Sequence, residues 1–261
     1  MDLNKHVRSR MGFAALCTLI LVLSAAGGLL WVSWKTGTID KRIRSDMLTH
    51  ARNLARGIDP HVAAGLTFTP SDTALAEYRR LDSQLKTYHR ATGFHGIWTM
   101  ALVDGRLVFG PESYSDDEPL GEGPPGTVYQ NPPAADYEIF ETGRAFVAGP
   151  YEDEYGEFLS SSAPVMDPAT GEVIMVVGLD MEADEWRDEL HRARMVAIPF
   201  AAAPALLLIL GMLLLIRRGK VSDETRGPLR YGEVVLVVFM GALLTFLAII
   251  VILDINGESK R

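Results

Sequence analysis

The sequence predicts an α+β domain with a central antiparallel sheet and a long N-terminal helix, flanked by transmembrane helices. Three observations lead to this. Uncharged apolar runs at 13–34, 195–216 and 234–253 each hold roughly 20 residues, the length that crosses a hydrocarbon core about 30 Å thick. Between the first two runs lie about 160 residues, 35–194, enough for one domain with its own core. Within that stretch, turn signals separate short strand-like runs in sequence from runs of helical period.

Residues 1–12 are short and basic through Lys5, Arg8 and Arg10. A basic tip before an apolar run is also the pattern of a secretory signal peptide. This run is longer than a signal core and ends in Trp31 and Trp34, which suit an interfacial anchor, so an uncleaved span with a cytoplasmic tail is expected. From Ile39 apolar residues recur at Ile43, Met47, Ala51, Leu54 or Ala55, and Ile58. This helical stripe continues the first span until Pro60 ends or bends it. Thr69 or Ser71 is expected to cap a second helix over about 72–90, with Leu75, Tyr78, Leu81, Leu85 and Tyr88 on its buried side and Gly93 at its close.

Residues 95–103 read as a strand, Asp104-Gly105 as a hairpin turn and 106–109 as the returning strand. The segment 110–133 is rich in Gly, Pro, Asp and Glu and reads as a long loop, of the kind that usually serves binding. A short helix over 134–142 ends at Gly143, and a strand over 145–148 is broken at Gly149-Pro150. The chain is organised around a second hairpin, with strands over 157–165 and 173–179 about a turn at 167–171, where Pro168 and Gly171 suit the reversal. This hairpin leads through Asp180, Met181, Glu182, Ala183 and Asp184 directly into a helix that runs on into the second span.

Arg217, Arg218, Lys220, Arg226 and Arg230 place the loop 217–233 in the cytoplasm. Lys35, Lys41, Arg42 and Arg44 follow the first span on the other side, and the parity of the spans decides the topology. The N-terminus lies inside, 35–194 outside and 254–261 outside again. A chain that stops so soon after re-emerging is expected to be a fragment with a second outer domain beyond it.

The formal net charge is -8, and 101–160 holds 13 Asp or Glu against Arg106 and Arg144 alone. Such a surface repels nucleic acid, and no nucleic-acid partner is expected. It reads most simply as a solvated acidic face. Asp116, Asp117 and Glu118 lack the alternation of ligands about a glycine that a calcium loop needs. Cys17 is the single cysteine, which excludes an intrachain disulfide and a cysteine cluster. His50, His61, His89 and His191 have no metal-ligand spacing, and His95 reads as structural. No nucleophile elbow, phosphate-binding loop or zinc-protease helix is present. No cofactor or metal is expected, and any enzymatic output would lie beyond residue 261.

The most distinctive stretch is 151–186. It combines tyrosines and acidic residues, Tyr155-Gly156, a strand ending Ala163-Pro164-Val165, the turn at 167–171, and Val176-Val177-Gly178-Leu179-Asp180 running into a helix. In that order, and with the flanking spans, 35–194 resembles the extracytoplasmic Cache (PDC, periplasmic PAS-like) sensor domains of bacterial transmembrane receptors. The third span, with Gly241, Leu243, Leu244 and Thr245, resembles the helix that precedes a CHASE-type domain in multi-sensor histidine kinases and diguanylate cyclases. The resemblance implies a PAS-like fold and a homodimer in the bacterial inner membrane, with the sensor domain facing the periplasm or exterior. It further implies a small-molecule solute bound outside and a helix displacement passed inward, as in two-component signal transduction, to an output domain absent from this chain. The contiguous Arg-x-Trp-Tyr motif of amino-acid-binding members is not found.

A site for a small polar solute needs a few fixed polar groups in an apolar wall. The candidates are Trp98, Tyr114, Tyr137, Tyr151, Tyr155, Ser160, Ser162 and Asp180, with Arg106 or Arg144 available to pair a carboxylate through a planar fork of donors. Strand alternation puts Ser160 and Ser162 on one face, either bonded locally or facing a wet site. Asp180 either caps the following helix at a backbone N–H near Ala183 or binds a ligand ammonium. Trp98 and Tyr155 suit a core better than a pocket. The alternative to solute sensing is a membrane-anchored envelope protein whose outer domain binds another protein. A transporter subunit is poorly supported, because the spans carry no interior charge.

Overall fold

A computed structural model of the chain describes residues 3–114 and 123–219. The expected third span at 234–253, the tail at 254–261, most of the basic loop 217–233 and the run Asp116, Asp117 and Glu118 lie outside the described residues, as do many side chains of 13–34 and 195–216. Among the described residues no helix is long and apolar enough to cross a membrane. The chain divides into two compact units, 39–190 and the terminal segments 1–38 with 191–261. The described parts of the terminal unit are helical, belonging to α1 (Leu3–Gly57) and α5 (Ala183–Gly219).

In the unit 39–190, the rest of α1 is followed by α2 (Pro60–Ala64), a 3₁₀ helix (Pro70–Ala74) and α3 (Ala76–Thr92). Then come β1 (Gly96–Val103), β2 (Arg106–Phe109), α4 (Ala134–Thr142), β3 (Phe146–Glu152), β4 (Glu157–Met166), β5 (Val173–Glu182) and the start of α5. The sheet order is β2-β1-β5-β4-β3, and every neighbouring pair is antiparallel. The α+β class, the long N-terminal helix and the central antiparallel sheet are as the sequence predicts.

Each face of the sheet buries its own apolar cluster. On one face Ile97, Val177, Leu179 and Leu159 pack with Met47, Ala51 and Leu54 of α1 and Leu81 and Leu85 of α3. On the other Trp98, Met100, Phe109 and Val176 pack with Ile139 of α4 and with Tyr129. The two-residue turn at Asp104 (φ 48) and Gly105 (φ 77) sets the β1–β2 register, so Phe109 lies opposite Met100 and shares the second face with it.

Three local expectations are corrected. Helix α3 begins at Ala76 with Leu75 at its N-cap and no side-chain cap bond, so neither Thr69 nor Ser71 caps it. The reason is Asp72, whose buried carboxylate accepts from the backbone N–H of Thr67 (2.9 Å) and Phe68 (2.7 Å) and so fastens the preceding loop. Strand β5 runs past 179 to Glu182, which puts Asp180 inside the strand rather than at the head of the helix.

Strand β3 is not broken at Gly149-Pro150 but bulged. Ala148 pairs with Ser160 and Tyr151 with Phe158, so Gly149 and Pro150 together stand opposite Leu159. Gly149 takes φ 101, a region that glycine reaches without a Cβ penalty. One extra residue inverts the alternation, and Tyr151 therefore faces the same side as Phe146 and Ala148.

Candidate functional site

Strand pairing builds the floor of a site on the face away from α1 and α3. Gly96, Asp180, Ser160 and Ala148 form one row across the sheet, and Trp98, Gly178, Ser162 and Phe146 the next. Residues directly opposite share a face. The glycines in these rows are occupied by rings. A Cβ on Gly178 would overlap the Trp98 indole, and one on Gly96 would overlap the Tyr114 phenol. Gly178→Ala is therefore expected to displace the indole and to cost about 1–3 kcal/mol by overpacking. Urea unfolding checks this, and a variant as stable as the parent would contradict the close ring–glycine contact.

Above the floor is a small cavity of about 10 Å³, room for about one water-sized or ammonium-sized group. Trp98, Phe109, Tyr129 and Tyr155 wall it in a chain of ring contacts with centroids 5.1 to 6.3 Å apart, edge-on or tilted. Tyr114, Tyr151 and Phe158 extend the wall, and Asp153 and Asp180 are its acidic members. Among the described residues no Lys or Arg lines it. An open groove of about 220 Å³ adjoins the cavity through the shared Tyr155 and Phe158, and continues past His95, Glu182 and Asp184.

Asp180 is buried, and its Oδ2 accepts the Trp98 Nε1–H at 2.7 Å while its Oδ1 makes no hydrogen bond. Its partner is thus an indole from β1, and the helix-capping role does not hold. Burial pushes its pKa up to about 7, against the Ser160 hydroxyl and the indole N–H, which favour the charged form. The Tyr151 hydroxyl donates to Ser160 Oγ at 2.9 Å, which leaves the Ser160 proton free to turn toward Asp180 across the strands. Ser160 acts on the carboxylate from nearby without bonding Oδ1.

Asp153, at the β3–β4 turn, is fully engaged. Its Oδ2 accepts from the Tyr129 hydroxyl (2.6 Å) and its Oδ1 from the backbone N–H of Tyr155 (2.9 Å) and Gly156 (3.1 Å), which ties that turn to the loop carrying Tyr129. Burial, reinforced by nearby acidic groups, raises the pKa values of Tyr129 and Tyr151, so both remain neutral phenols at physiological pH. Asp136 sits on the buried side of α4, and its Oδ2 has no hydrogen-bond partner. Its pKa is pushed up to about 7, first by burial and then by the charges of Asp180 and Asp153.

The fold therefore brings Trp98, Tyr114, Tyr151, Tyr155 and Asp180 to one cavity. Ser160 joins them through Tyr151, and Ser162 is buried in the neighbouring row with its hydroxyl unbonded. Arg106, Arg144 and Tyr137 are not brought there. Arg106 alternates with Leu107 and Phe109, so it belongs to the opposite face at the hairpin end, and it is exposed. Arg144 is exposed in the link between α4 and β3, and Tyr137 lies on the outer side of α4, 38% exposed.

Phe109, Tyr129, Asp136, Asp153 and Phe158 are not among the sequence candidates. Phe109 is recoverable from the hairpin register, and Asp136 from its spacing to Ile139 on one helix face. Tyr129 lies in a loop with no periodic signal. Among the described residues no group of three or more His, Cys, Asp or Glu is placed to hold a metal ion.

No family model matches the sequence, and no curated protein matches it. Among solved structures, the chain is similar to the ligand-binding domain of the Campylobacter jejuni chemoreceptor Tlp3 in complex with L-valine, with 16% identity over 67% of this chain and 66% of that one and a TM-score of 0.46. It is also similar to the ligand-binding domain of the Pseudomonas aeruginosa amino acid chemoreceptor PctC in complex with GABA, with 18% identity over 68% of this chain and 66% of that one and a TM-score of 0.34. The chain thus spans just under two thirds of the length of these domains. At this level of similarity a functional reading rests on the chain's own sheet and site.

Proposed function

We propose that the unit 39–190 is the small-solute sensing input of an extracytoplasmic receptor domain, and that the solute presents a protonated amine to Asp180. One observation carries this: a buried carboxylate with an unbonded oxygen stands in an aromatic cage that, among the described residues, contains no cation. In such a place a carboxylate either keeps its proton or takes a positive partner. Aromatic faces add cation–π attraction for an ammonium group. A ligand carboxylate would find no arginine there, so the remainder of the solute extends toward the open groove.

The sheet order and long first helix suit the PAS-like Cache arrangement that the sequence resembles. Strand β5 carries Asp180 and passes into α5 at Ala183 without a loop. Trp186 Nε1 of α5 donates to Asp40 Oδ1 of α1 at 2.9 Å, Arg44 Nε pairs with the same oxygen at 3.0 Å, and Arg44 Nη2 donates to Gly149 O at 3.0 Å. The bulge that aims Tyr151 is thereby tied to both helices. A solute signals through these contacts only to the extent that it prefers one arrangement of them. The full receptor, on this reading, is a homodimer anchored by spans at 13–34, 195–216 and 234–253, with 1–12 and 217–233 in the cytoplasm and a kinase or cyclase output beyond this chain.

A thermal-shift screen of the full chain in detergent against amines, amino acids, carboxylates and purines tests the reading. A ligand that binds only the folded form raises the melting temperature. Primary amines are expected to raise it and amine-free carboxylates are not. Shifts confined to anions would overturn the assignment.

A further inference from the structure

We infer that Arg44 is the positioning residue that couples the amine site to the contact between α1 and α5, acting through the β3 bulge and Tyr151. This rests on the amine-sensing reading above and chooses between two routes out of the site. One route follows the chain, since β5 carries Asp180 straight into α5. The other crosses the sheet through side chains, from Asp180 to Ser160, Tyr151, the bulge and Arg44. The pairing of the strands favours the second. At Asp180, β5 is held on both sides, by Gly96 of β1 and by Ser160 of β4, so a shift of β5 disturbs two ladders at once. Among the described residues β3 pairs with β4 alone, at the end of the sheet, and its ladder is already interrupted between Ala148 and Tyr151. It is the strand that moves at least cost.

Arg44 holds that strand to α1. Its Nε faces both oxygens of Asp40, one helical turn away, at 3.0 and 3.2 Å, while its Nη2 donates to Gly149 O at 3.0 Å. The guanidinium is a rigid planar fork, so a tilt that loosens one set of bonds loosens the other. Asp40 Oδ1 also accepts the Trp186 Nε1–H, and the guanidinium carbon lies 5.9 Å from the centre of the Trp186 ring. On the site side, Tyr151 follows Gly149 by two residues, and its hydroxyl donates to Ser160 Oγ, directly opposite Asp180. An ammonium at Asp180 holds the carboxylate in its charged form, toward which the Ser160 proton turns, and the bonded Tyr151 hydroxyl follows. Trp98 and Trp186 report the two ends of this route from different sides of the sheet. Trp98 belongs to the cavity cluster, whereas Trp186 packs against the cluster formed with α1 and α3.

Fluorine NMR of the full chain in detergent, labelled with fluorotryptophan and titrated with n-butylamine and with phenethylamine, tests this. Trp98→Phe and Trp186→Phe assign the two signals. In the parent both signals are expected to move. In Arg44→Met the Trp98 signal is expected still to move and the Trp186 signal to stay in place. Because Arg44 also flanks Trp186, the second variant is Tyr151→Phe, which leaves that contact intact, and at saturating amine the same split is expected. Calorimetry supplies a further measure: Arg44→Met should weaken amine binding about fivefold or more in the parent, and should weaken it no further in Tyr151→Phe. A Trp186 signal that is still in the parent, or that moves in either variant as it does in the parent, overturns the role of Arg44 while leaving amine sensing intact. So does an equal loss of affinity in both backgrounds, which would make Arg44 a structural tie acting independently of Tyr151. A Trp98 signal unmoved by either amine in the parent overturns both readings.

Discussion

Asp180→Asn is expected to abolish amine binding while leaving the ligand-free protein at least as stable as the parent at pH 8. The substitution is nearly isosteric, and the Asn side-chain oxygen still accepts the Trp98 N–H, so the indole keeps its partner over Gly178. What is lost is the charge. Removing one partner of a buried, hydrogen-bonded charge pair costs on the order of 2–5 kcal/mol of binding, which takes a micromolar ligand beyond ordinary detection. The folded protein loses nothing comparable, because burial already disfavours the ionised acid. Calorimetry and thermal melting of the variant check both halves. Amine affinity within a few-fold of the parent would sink the assignment of Asp180 as the anchor.

Stability of the ligand-free protein is expected to fall as pH rises from about 4 to about 7. Asp136 and Asp180 both have folded pKa values pushed up to about 7 from an ordinary 3.8. Below 3.8 each is neutral in the folded and unfolded chain alike. Between 3.8 and about 7 only the unfolded chain ionises, so the stability linked to these protons is lost across that window and stays lost above it. The groups facing the two acids are Asp153, Tyr129 and Tyr151, and among the described residues no Lys or Arg lines the cavity to offset them. A cationic ligand reverses the trend, because it binds the ionised acids, and its thermal shift should grow over the same window. Melting curves of the parent and of the Asp136→Asn, Asp180→Asn double variant isolate the effect. Identical pH profiles for the two proteins would contradict it.

Much of the fold is legible in the sequence because its signals are local. The Asp104-Gly105 turn, the glycines that close α3 and α4, and the stripe from Met47 to Ile58 each follow from residues a few positions apart. The pairing of β1 with β5 joins Gly96 to Asp180 and Trp98 to Gly178, far apart in sequence, and no local signal specifies it. That pairing makes Asp180 a floor residue instead of a helix cap. Tyr151 does reach the cavity, but its facing depends on the β3 bulge, which a reading of Gly149-Pro150 as a break conceals. Arg106 and Arg144 are attractive for their chemistry alone, and strand parity and exposure set them apart from the cavity. Asp136 and Asp153 are hidden among 13 acidic residues in 101–160, where the burial of Asp136 and the hydrogen bonds of Asp153, rather than identity, distinguish them.

The hydrogen bond from Trp186 to Asp40 fixes the two ends of the unit 39–190 beside each other. A unit whose ends meet behaves as an insert: it can be carried between two adjacent helices of an unrelated host without stretching or crowding them. On the amine-sensing reading, the chemistry that recognises the solute is then portable. Grafted with residues 40 and 186 intact, the unit would confer the same chemical preference on any host whose output responds to the spacing of those two helices.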